Sequence, residues 1–431
     1  MSKPKILIIG ANGAMGSLSL LKLYGNENLS VLILPFEMEI FLKNKEMHED
    51  EWFPSDKTCI PKESFVVGKE PSSAEEVGVF TTETIPAGFF DENGVVIITS
   101  KIFHYGSVID SIKHTLHKDT VITILVNGLN PELTLEKICR DKGVNNLVTR
   151  AVVMGGTHYT IHEDKFSVHS GIAKFVIGHW TKEYSPGYQQ QLETVTGLFP
   201  KDRFIAQPLI GNDFRIPCFD KVLANLVNPI SAFTGCPTIE YVEIELVREI
   251  ITKCFNQGID IGLTIGLPMK DREDIIARKL EMYEKAGLTS KAHLPSMGQD
   301  SLRALLGRTP LYHENEHIGI AIVKEGLQAD KPYNADYIAG FSNILTQVTV
   351  HYNKLHAQDK EKASRFLLEL MMRNRYSLGL KPNNTPLYEQ FTGLEKLESQ
   401  ISIDYTKVKR IKNLNDAAVI FQENLNEMIK D

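Results

Sequence analysis

The chain has 431 residues, too many for one ordinary core, and its 42% hydrophobic and 23% charged residues are the composition of a globular protein. With 47 basic against 54 acidic side chains the net charge is −7, which offers no basic face and excludes nucleic acid as an expected partner. No stretch approaches the length of a membrane span, so no membrane is expected, and Gly10 interrupts the apolar run near Met1, which argues against a signal peptide. Five scattered cysteines (Cys59, Cys139, Cys218, Cys236, Cys254), without a C-x-x-C, fit free thiols in a reducing cytoplasm, the expected location.

The first element reads as a buried parallel strand, Ile6–Ile9 after Lys5. Glycines follow at Gly10, Gly13 and Gly16, and a helical pattern then starts with Ser17, Leu18, Leu20, Leu21 and Leu23. Strand, glycine turn and helix together put a pyrophosphate on a helix N-terminus, where backbone N–H groups and the helix dipole meet it. Gly10, Asn12, Gly13, Ala14, Met15 and Gly16 are therefore candidate contacts of a dinucleotide, with Gly10 for the tight turn, Gly13 for close approach to phosphate and Gly16 for helix-on-strand packing. The spacing is G-x-x-G-x-x-G, one residue longer at the first interval than the common fingerprint, and its bland alternative is an ordinary strand-to-helix turn.

Leu29–Leu34 reads as a second strand ending in Pro35, Phe36 and Glu37. An acidic side chain about 20 residues past the glycines can bind the adenine ribose of NAD, so Glu37 leans toward NADH, or else is a surface loop residue. Residues 41–75 are polar and aperiodic and read as an insertion. Strands resume at Gly94–Thr99 and Val121–Val126 around a helix at Tyr105–Leu116, an alternation that implies a doubly wound parallel sheet. Its ligands lie at the carboxyl ends of the strands, where Ser100-Lys101 and Asn127-Gly128-Leu129-Asn130 fall. Lys101 can reach cofactor phosphates or stay solvated; Asn127 can bind the cofactor's ribose or nicotinamide end or simply shape a turn. Leu147–Val153 and Phe175–Ile177 read as further strands. His158 and His162 lie between them in a strand-like context, on one face but well separated, so no metal site is expected.

From about Phe219 the periodicity is helical: Lys221–Thr234, Ile239–Ile261, Arg272–Ala286, His317–Glu325, Ala335–Leu355 and Glu361–Met372. The expected fold is thus α/β, a Rossmann-type doubly wound sheet in residues 1–210 followed by an all-α domain in 211–431, with the role of the tail from 380 onward open.

Several motifs then align in order: the glycine turn, Thr99-Ser100-Lys101, Asn127-Gly128-Leu129, Lys221-Val-Leu-Ala-Asn225-Leu-Val-Asn228-Pro229, Ser296-Met297-Gly298-Gln299-Asp300, and Glu314, Gly319 and Pro332-Tyr333-Asn334. In these the chain, over roughly residues 4–345, resembles the ketopantoate reductase (2-dehydropantoate 2-reductase) family. The resemblance implies NADPH- or NADH-dependent reduction of a 2-oxo acid, ketopantoate to pantoate, by a possible homodimer. It implies Lys221 as general acid, Glu314 as a site carboxylate that orients it or holds substrate, and Asn225, Asn228 and Ser296 as substrate contacts.

Departures from the family pattern are specific. Asn228 follows Asn225 by three residues rather than four, the segment before Glu314 is long enough that Glu316 could take its place, and no basic residue ends the second strand. Each residue also has a structural alternative: Lys221 a lysine snorkelling at a helix start, Asn225 a buried interhelical hydrogen bond, Asn228-Pro229 a mid-helix kink, Ser296 a helix cap, and Glu314 part of a solvated charge run. Two functions compete with the first: a dehydrogenase of opine or 3-hydroxy-acid type on the same scaffold, and a nucleotide-sensing protein without turnover.

Overall fold

Along the first strands, alternate residues face opposite sides of one sheet, and both sides are apolar. Ile6, Ile8, Val31, Val95 and Ile97 build one core, and Leu7, Ile9, Leu32, Val96 and Ile98 build the other. The computed structural model describes residues 3–34, 38, 41, 46–49, 59–90, 94–154, 157–162, 165–170, 174–180, 186–199, 205–210, 212–289, 294–306, 309–329, 333, 335–381 and 397–430. The chain divides into two units, Met1–Cys218 and Phe219–Asp431, with the division inside the helix Asn212–Asn225.

The strands of the first unit are β1 (Lys5–Ile9), β2 (Leu29–Leu32), β3 (Glu46–Glu49), β4 (Cys59–Ile60), β5 (Phe65–Val67), β6 (Val77–Phe80), β7 (Gly94–Ile98), β8 (Val121–Ile124), β9 (Val148–Met154), β10 (Thr157–His162), β11 (Lys165–Ser170), β12 (Lys174–His179) and β13 (Ile205–Ile210). Nine of them form one sheet in the order β13-β12-β9-β8-β7-β1-β2-β6-β5. All its pairings are parallel except β12 against β9, so the doubly wound sheet carries one reversed join. One face packs against the helices Ala14–Leu23 and Pro186–Gly197, the other against Tyr105–Ile112 and Pro131–Asp141.

A second sheet, in the order β10-β11-β3-β4, takes in part of the segment 41–75. Part of that segment is β3 and β4, and a further part is β5, the edge of the main sheet. Glu46-Met-His-Glu49 lacks the branched residues that announce a strand; its order comes from a distant partner, since β3 runs parallel to β11 with Glu46 opposite Lys165. The β10–β11 hairpin places His158 directly opposite His169 in register. This sheet also explains the burial of the helix Ala14–Leu23: Leu18, Leu20, Leu21 and Leu23, and even Ser17, Ser19 and Lys22, are buried because β1 touches the helix and so do β3, β10 and β11.

The second unit is helical: Asn228–Thr234, Glu240–Glu243, Glu245–Thr264, Arg272–Thr289, Ser296–Leu305, Gly319–Gln328, Asp336–His356, Lys360–Ser377 and Ala417–Lys430. The segment read as one helix over Lys221–Thr234 is two. The first begins earlier, at Asn212, runs through Pro217 and stops at Asn225; the second starts at Asn228 with Pro229 in its first turn, where a proline's missing N–H costs nothing. Pro229 is therefore a helix start and not a mid-helix kink. Beyond the family-like region, Ala417–Lys430 packs on Asp336–His356 and Lys360–Ser377, with Phe421 against Phe233 and Phe341. Among the described residues, no helix is long and apolar enough to cross a membrane.

One ion pair ties this unit together. Arg375, only 4% exposed, donates from Nη1 and Nη2 to the two carboxylate oxygens of Glu240, both at 2.8 Å. Beside it Asn374 donates to the Phe233 carbonyl at 2.9 Å. Removing one partner of such a pair strands a buried charge. Arg375→Met is expected to lower the unfolding free energy by about 3–5 kcal/mol, read from the shift of a urea unfolding midpoint at constant slope; a loss below about 1 kcal/mol would contradict this account.

Candidate functional site

In the N-terminal unit the site starts where the strand order reverses. The chain runs from β1 outward to β2 on one side and later resumes with β7 on the other, so the crevice at the carboxyl ends of β1 and β7 is a topological switch point. Gly10 ends β1 there with φ +88°, and a Cβ on it would lie 2.7 Å from Thr99 Oγ1. Thr99, just past β7, donates its hydroxyl toward the carbonyls of Ile9 (2.9 Å) and Gly10 (3.1 Å), locking the two strand ends together. Gly16 is confined more severely: a Cβ would sit 2.1 Å from the Gly10 carbonyl oxygen, so only glycine lets the helix start so close to the strand. Ser17 secures that turn by donating to the carbonyls of Ala11 (2.7 Å) and Gly13 (2.8 Å).

Gly13 is different. It is exposed, caps the helix Ala14–Leu23 without a side-chain hydrogen bond, and a Cβ on it would meet nothing closer than the Gly10 carbonyl oxygen at 3.5 Å. The protein would admit a side chain there, so what glycine provides is an open approach to the helix end. The N–H groups of Ala14, Met15 and Gly16 open this helix and have no intrahelical acceptor. Beside the cradle, the buried hydroxyl oxygen of Ser100 has no hydrogen-bond partner among the described residues. An open helix N-terminus, a close backbone and an orphaned hydroxyl fit a pyrophosphate. Asn12 and Lys101, both half-buried, border the same loops, Lys101 preceding the turn Ile102–His104. Glu37 lies outside the described residues.

Asn127, half-buried, follows β8 in a loop with two left-handed residues, Gly128 at φ +119° and Asn130 at φ +55°. Under it is a feature the motif reading missed. Arg150 of β9 and Glu132 of the helix Pro131–Asp141 are both fully buried and pair at 3.7 Å. The signal was present: an arginine inside the apolar run Leu147–Val153 needs a buried partner.

In the helical unit Lys221 stands inside the C-terminal half of Asn212–Asn225, not at a helix start. It keeps some exposed surface, yet its surroundings desolvate the ammonium and, with the neighbouring Lys279 charge, lower its pKa to about 8 against the opposing pull of Asp220. Asp220 itself accepts a hydrogen bond from Lys279 at 2.6 Å. Neither Asp220 nor Lys279 stood out in the sequence, where both look like surface charges.

One turn on from Lys221, the structure brings Asn225, Asn228 and Ser296 together. The Asn228 carboxamide donates to Asn225 Oδ1 (3.4 Å) and to Ser296 Oγ (3.3 Å). The shorter spacing between the asparagines is absorbed by the two-residue break between the helices, which lets Asn228 turn back on Asn225. Ser296 is the first residue of its helix and makes no cap bond; its helix lies close because a Cβ on Gly298 would be 2.3 Å from Ser231 Oγ. Asn225 is 8% exposed and its Nδ2 has no acceptor among the described residues. Of the two candidate glutamates Glu314 is buried and Glu316 exposed, both on the 3₁₀ turn Glu314–His317. Of the closing motif, Pro332 and Asn334 lie outside the described residues, while the Tyr333 hydroxyl donates to Asp260.

The sequence from 6 to 182 matches the family model described as "Ketopantoate reductase PanE/ApbA". Over this segment, about two fifths of its length, the chain is similar to that family. The match spans the glycine turn, Lys101 and Asn127 and ends before Lys221, Asn225, Asn228, Ser296 and Glu314. No curated protein matches the sequence. Solved structures share the fold. The 2-dehydropantoate 2-reductase from Geobacter metallireducens GS-15 superposes with TM-score 0.60 at 17% identity, covering 80% of this chain and 99% of that one. A D-mandelate dehydrogenase solved with NADH and anilino(oxo)acetate gives 0.59 at 15% identity, covering 81% and 99%. The dimeric ketopantoate reductase from Staphylococcus aureus gives 0.54 at 16% identity, covering 82% and 99%.

The glycines separate fold from ligand approach. Gly16→Ala is expected to destabilise the protein by about 1–3 kcal/mol, because backbone must move. Gly13→Ala should leave thermal unfolding within about 0.5 kcal/mol of the native protein. Equal losses in calorimetry would refute the division of roles between the two glycines.

Proposed function

We propose that the protein is an NAD(P)H-dependent oxidoreductase that reduces a 2-oxo acid to the 2-hydroxy acid, with 2-dehydropantoate, giving pantoate, as the substrate. The observation that carries this reading is the Asn225–Asn228–Ser296 network one helical turn beyond Lys221, whose pKa is lowered, in a chain whose N-terminal segment matches the ketopantoate reductase family model.

Gly10, Asn12, Gly13, Ala14, Met15, Gly16, Lys101 and Asn127 would hold the dinucleotide, with Glu37 at the adenosine end. The bound cofactor supplies a hydride to the carbonyl carbon. The rest of the work falls to side chains of the helical unit. Lys221 Nζ gives its proton to the carbonyl oxygen as that oxygen becomes an alkoxide; with its pKa lowered to about 8 it is still mostly protonated at neutral pH, yet releases the proton more readily than an ordinary lysine. Asn228 does not need to touch substrate to matter. By donating to Asn225 Oδ1 it turns the Asn225 amide so that Nδ2 is the group left to meet a substrate oxygen. By donating to Ser296 Oγ it leaves that hydroxyl its own proton to give to the substrate carboxylate. Glu314, buried in this unit, orients the lysine or holds the substrate hydroxyl.

A second substrate class follows from the fold comparison, where the mandelate and pantoate enzymes superpose on this chain almost equally well, with TM-scores of 0.59 and 0.60. An aromatic 2-oxo acid therefore belongs in the assay. Homodimerisation, as in the Staphylococcus aureus enzyme, and a cytoplasmic location complete the proposal.

The test follows NADH and NADPH oxidation with ketopantoate, the oxo acid of mandelate and short aliphatic 2-oxo acids. Turnover with ketopantoate supports the proposal, turnover with another acid moves the substrate, and dinucleotide binding without oxidation of any kind points to a sensing protein. In an active preparation Lys221→Ala is expected to lower kcat by at least ~100-fold with dinucleotide affinity unchanged. The lysine must be protonated to act, so kcat/KM for reduction should be flat below pH about 8 and decline above it, following the lowered lysine pKa. A decline that begins only near pH ~10, the range of an ordinary lysine, would remove Lys221 from the acid role.

A further inference from the structure

Arg150 is fully buried in β9, opposite Ile124 at the end of β8. Its Nη2 donates to the Gly128 carbonyl at 2.7 Å. Its Nη1 faces Glu132 Oε2 at 3.7 Å, and Glu132 in turn accepts from the Trp180 backbone N–H at 3.2 Å through Oε1. Arg150 Nε and Nη1 and Glu132 Oε2 have no hydrogen-bond partner among the described residues. A fully desolvated pair held at that separation, with donors left over, is poor value as a stabilising device, since an apolar pair of the same volume is often as stable or more so. What the pair does hold is the loop. Gly128 and Asn130 both adopt left-handed backbone, and the Arg150 guanidinium fixes the Gly128 carbonyl, which lies between them, while Glu132 sits at the start of the following helix. The planar, permanently charged guanidinium combines a fixed N–H direction for the carbonyl with a charge that faces the carboxylate.

We propose that Arg150, braced by Glu132, is a positioning residue for dinucleotide binding: it sets the Asn127–Asn130 loop in the shape that presents Asn127 to the cofactor. This rests on the reading of Asn127 as a cofactor contact given under the proposed function.

The test uses the full chain and titrates NADH and NADPH by the change in nicotinamide fluorescence, with thermal unfolding measured in parallel. Replacing both partners by apolar residues of similar volume, Arg150→Met with Glu132→Leu, is expected to keep or raise the melting temperature. The same double variant should weaken binding of the preferred dinucleotide about tenfold, the size of one lost charge-assisted hydrogen bond of about 1.5 kcal/mol. Asn127→Ala should weaken it similarly, and adding it to the double variant should bring little further loss, because the two changes remove the same contact. Arg150→Lys is the second variant should the double one not fold; its ammonium lacks the planar, fixed N–H directions of the guanidinium, and at least a threefold weakening is expected. Native-like affinity in the variants that fold overturns the inference while leaving the proposed function standing. Failure of the unmodified protein to bind either dinucleotide overturns the proposed function, and this inference with it.

Discussion

The approach of the first helix to the end of β1 is the contact on which the rest of the N-terminal unit depends. With Gly16 against the Gly10 carbonyl there is no room for even a methyl group, so the helix axis is fixed relative to the strand by backbone alone. The helix then has two apolar sides to cover, and two sheets cover them. Thr99 binds the neighbouring strand end to the same turn, which brings Ser100 and Lys101 to the same crevice. A turn of this kind owes its shape to exclusion as much as to attraction: two glycines leave the space, and the hydroxyls of Thr99 and Ser17 hold the backbone around it.

The helical unit reaches the same end by different means. There the polar residues organise one another. Asn228 spends its donors on Asn225 and Ser296 and so determines what those two can still offer, while Lys279 and Asp220, paired with each other, act on the Lys221 charge with opposite signs. The first unit presents backbone and the second presents side chains.

Much of this was legible in the chain itself. The Gly10–Gly16 turn, β1, β7, β8 and the change to helical periodicity near 219 declare themselves because local pattern and tertiary role agree. What escaped is what depends on distant partners. The strand Glu46–Glu49 has no strand-like composition and owes its order to β11. The edge strands β5 and β13 are short or interrupted by polar residues. The helix break at Asn228 hides behind residues that all suit a helix, and Pro229 reads equally as a kink or a start. At the site, residue types that can bind or react are visible in sequence, whereas Arg150, Glu132, Asp220 and Lys279, which act on other residues, acquire meaning only from contacts.

The second sheet has a consequence for the order in which the chain is assembled. β3 and β4 are made early in synthesis, but β3 has its parallel neighbour in β11, so its outer edge waits until residue 170 has left the ribosome. Until then the outward side of the helix Ala14–Leu23, with its row of leucines, is uncovered as well. Pairing between segments so far apart in the chain is slow because loop closure precedes any gain. The second sheet of the N-terminal unit is thus completed only after its late hairpin has been made.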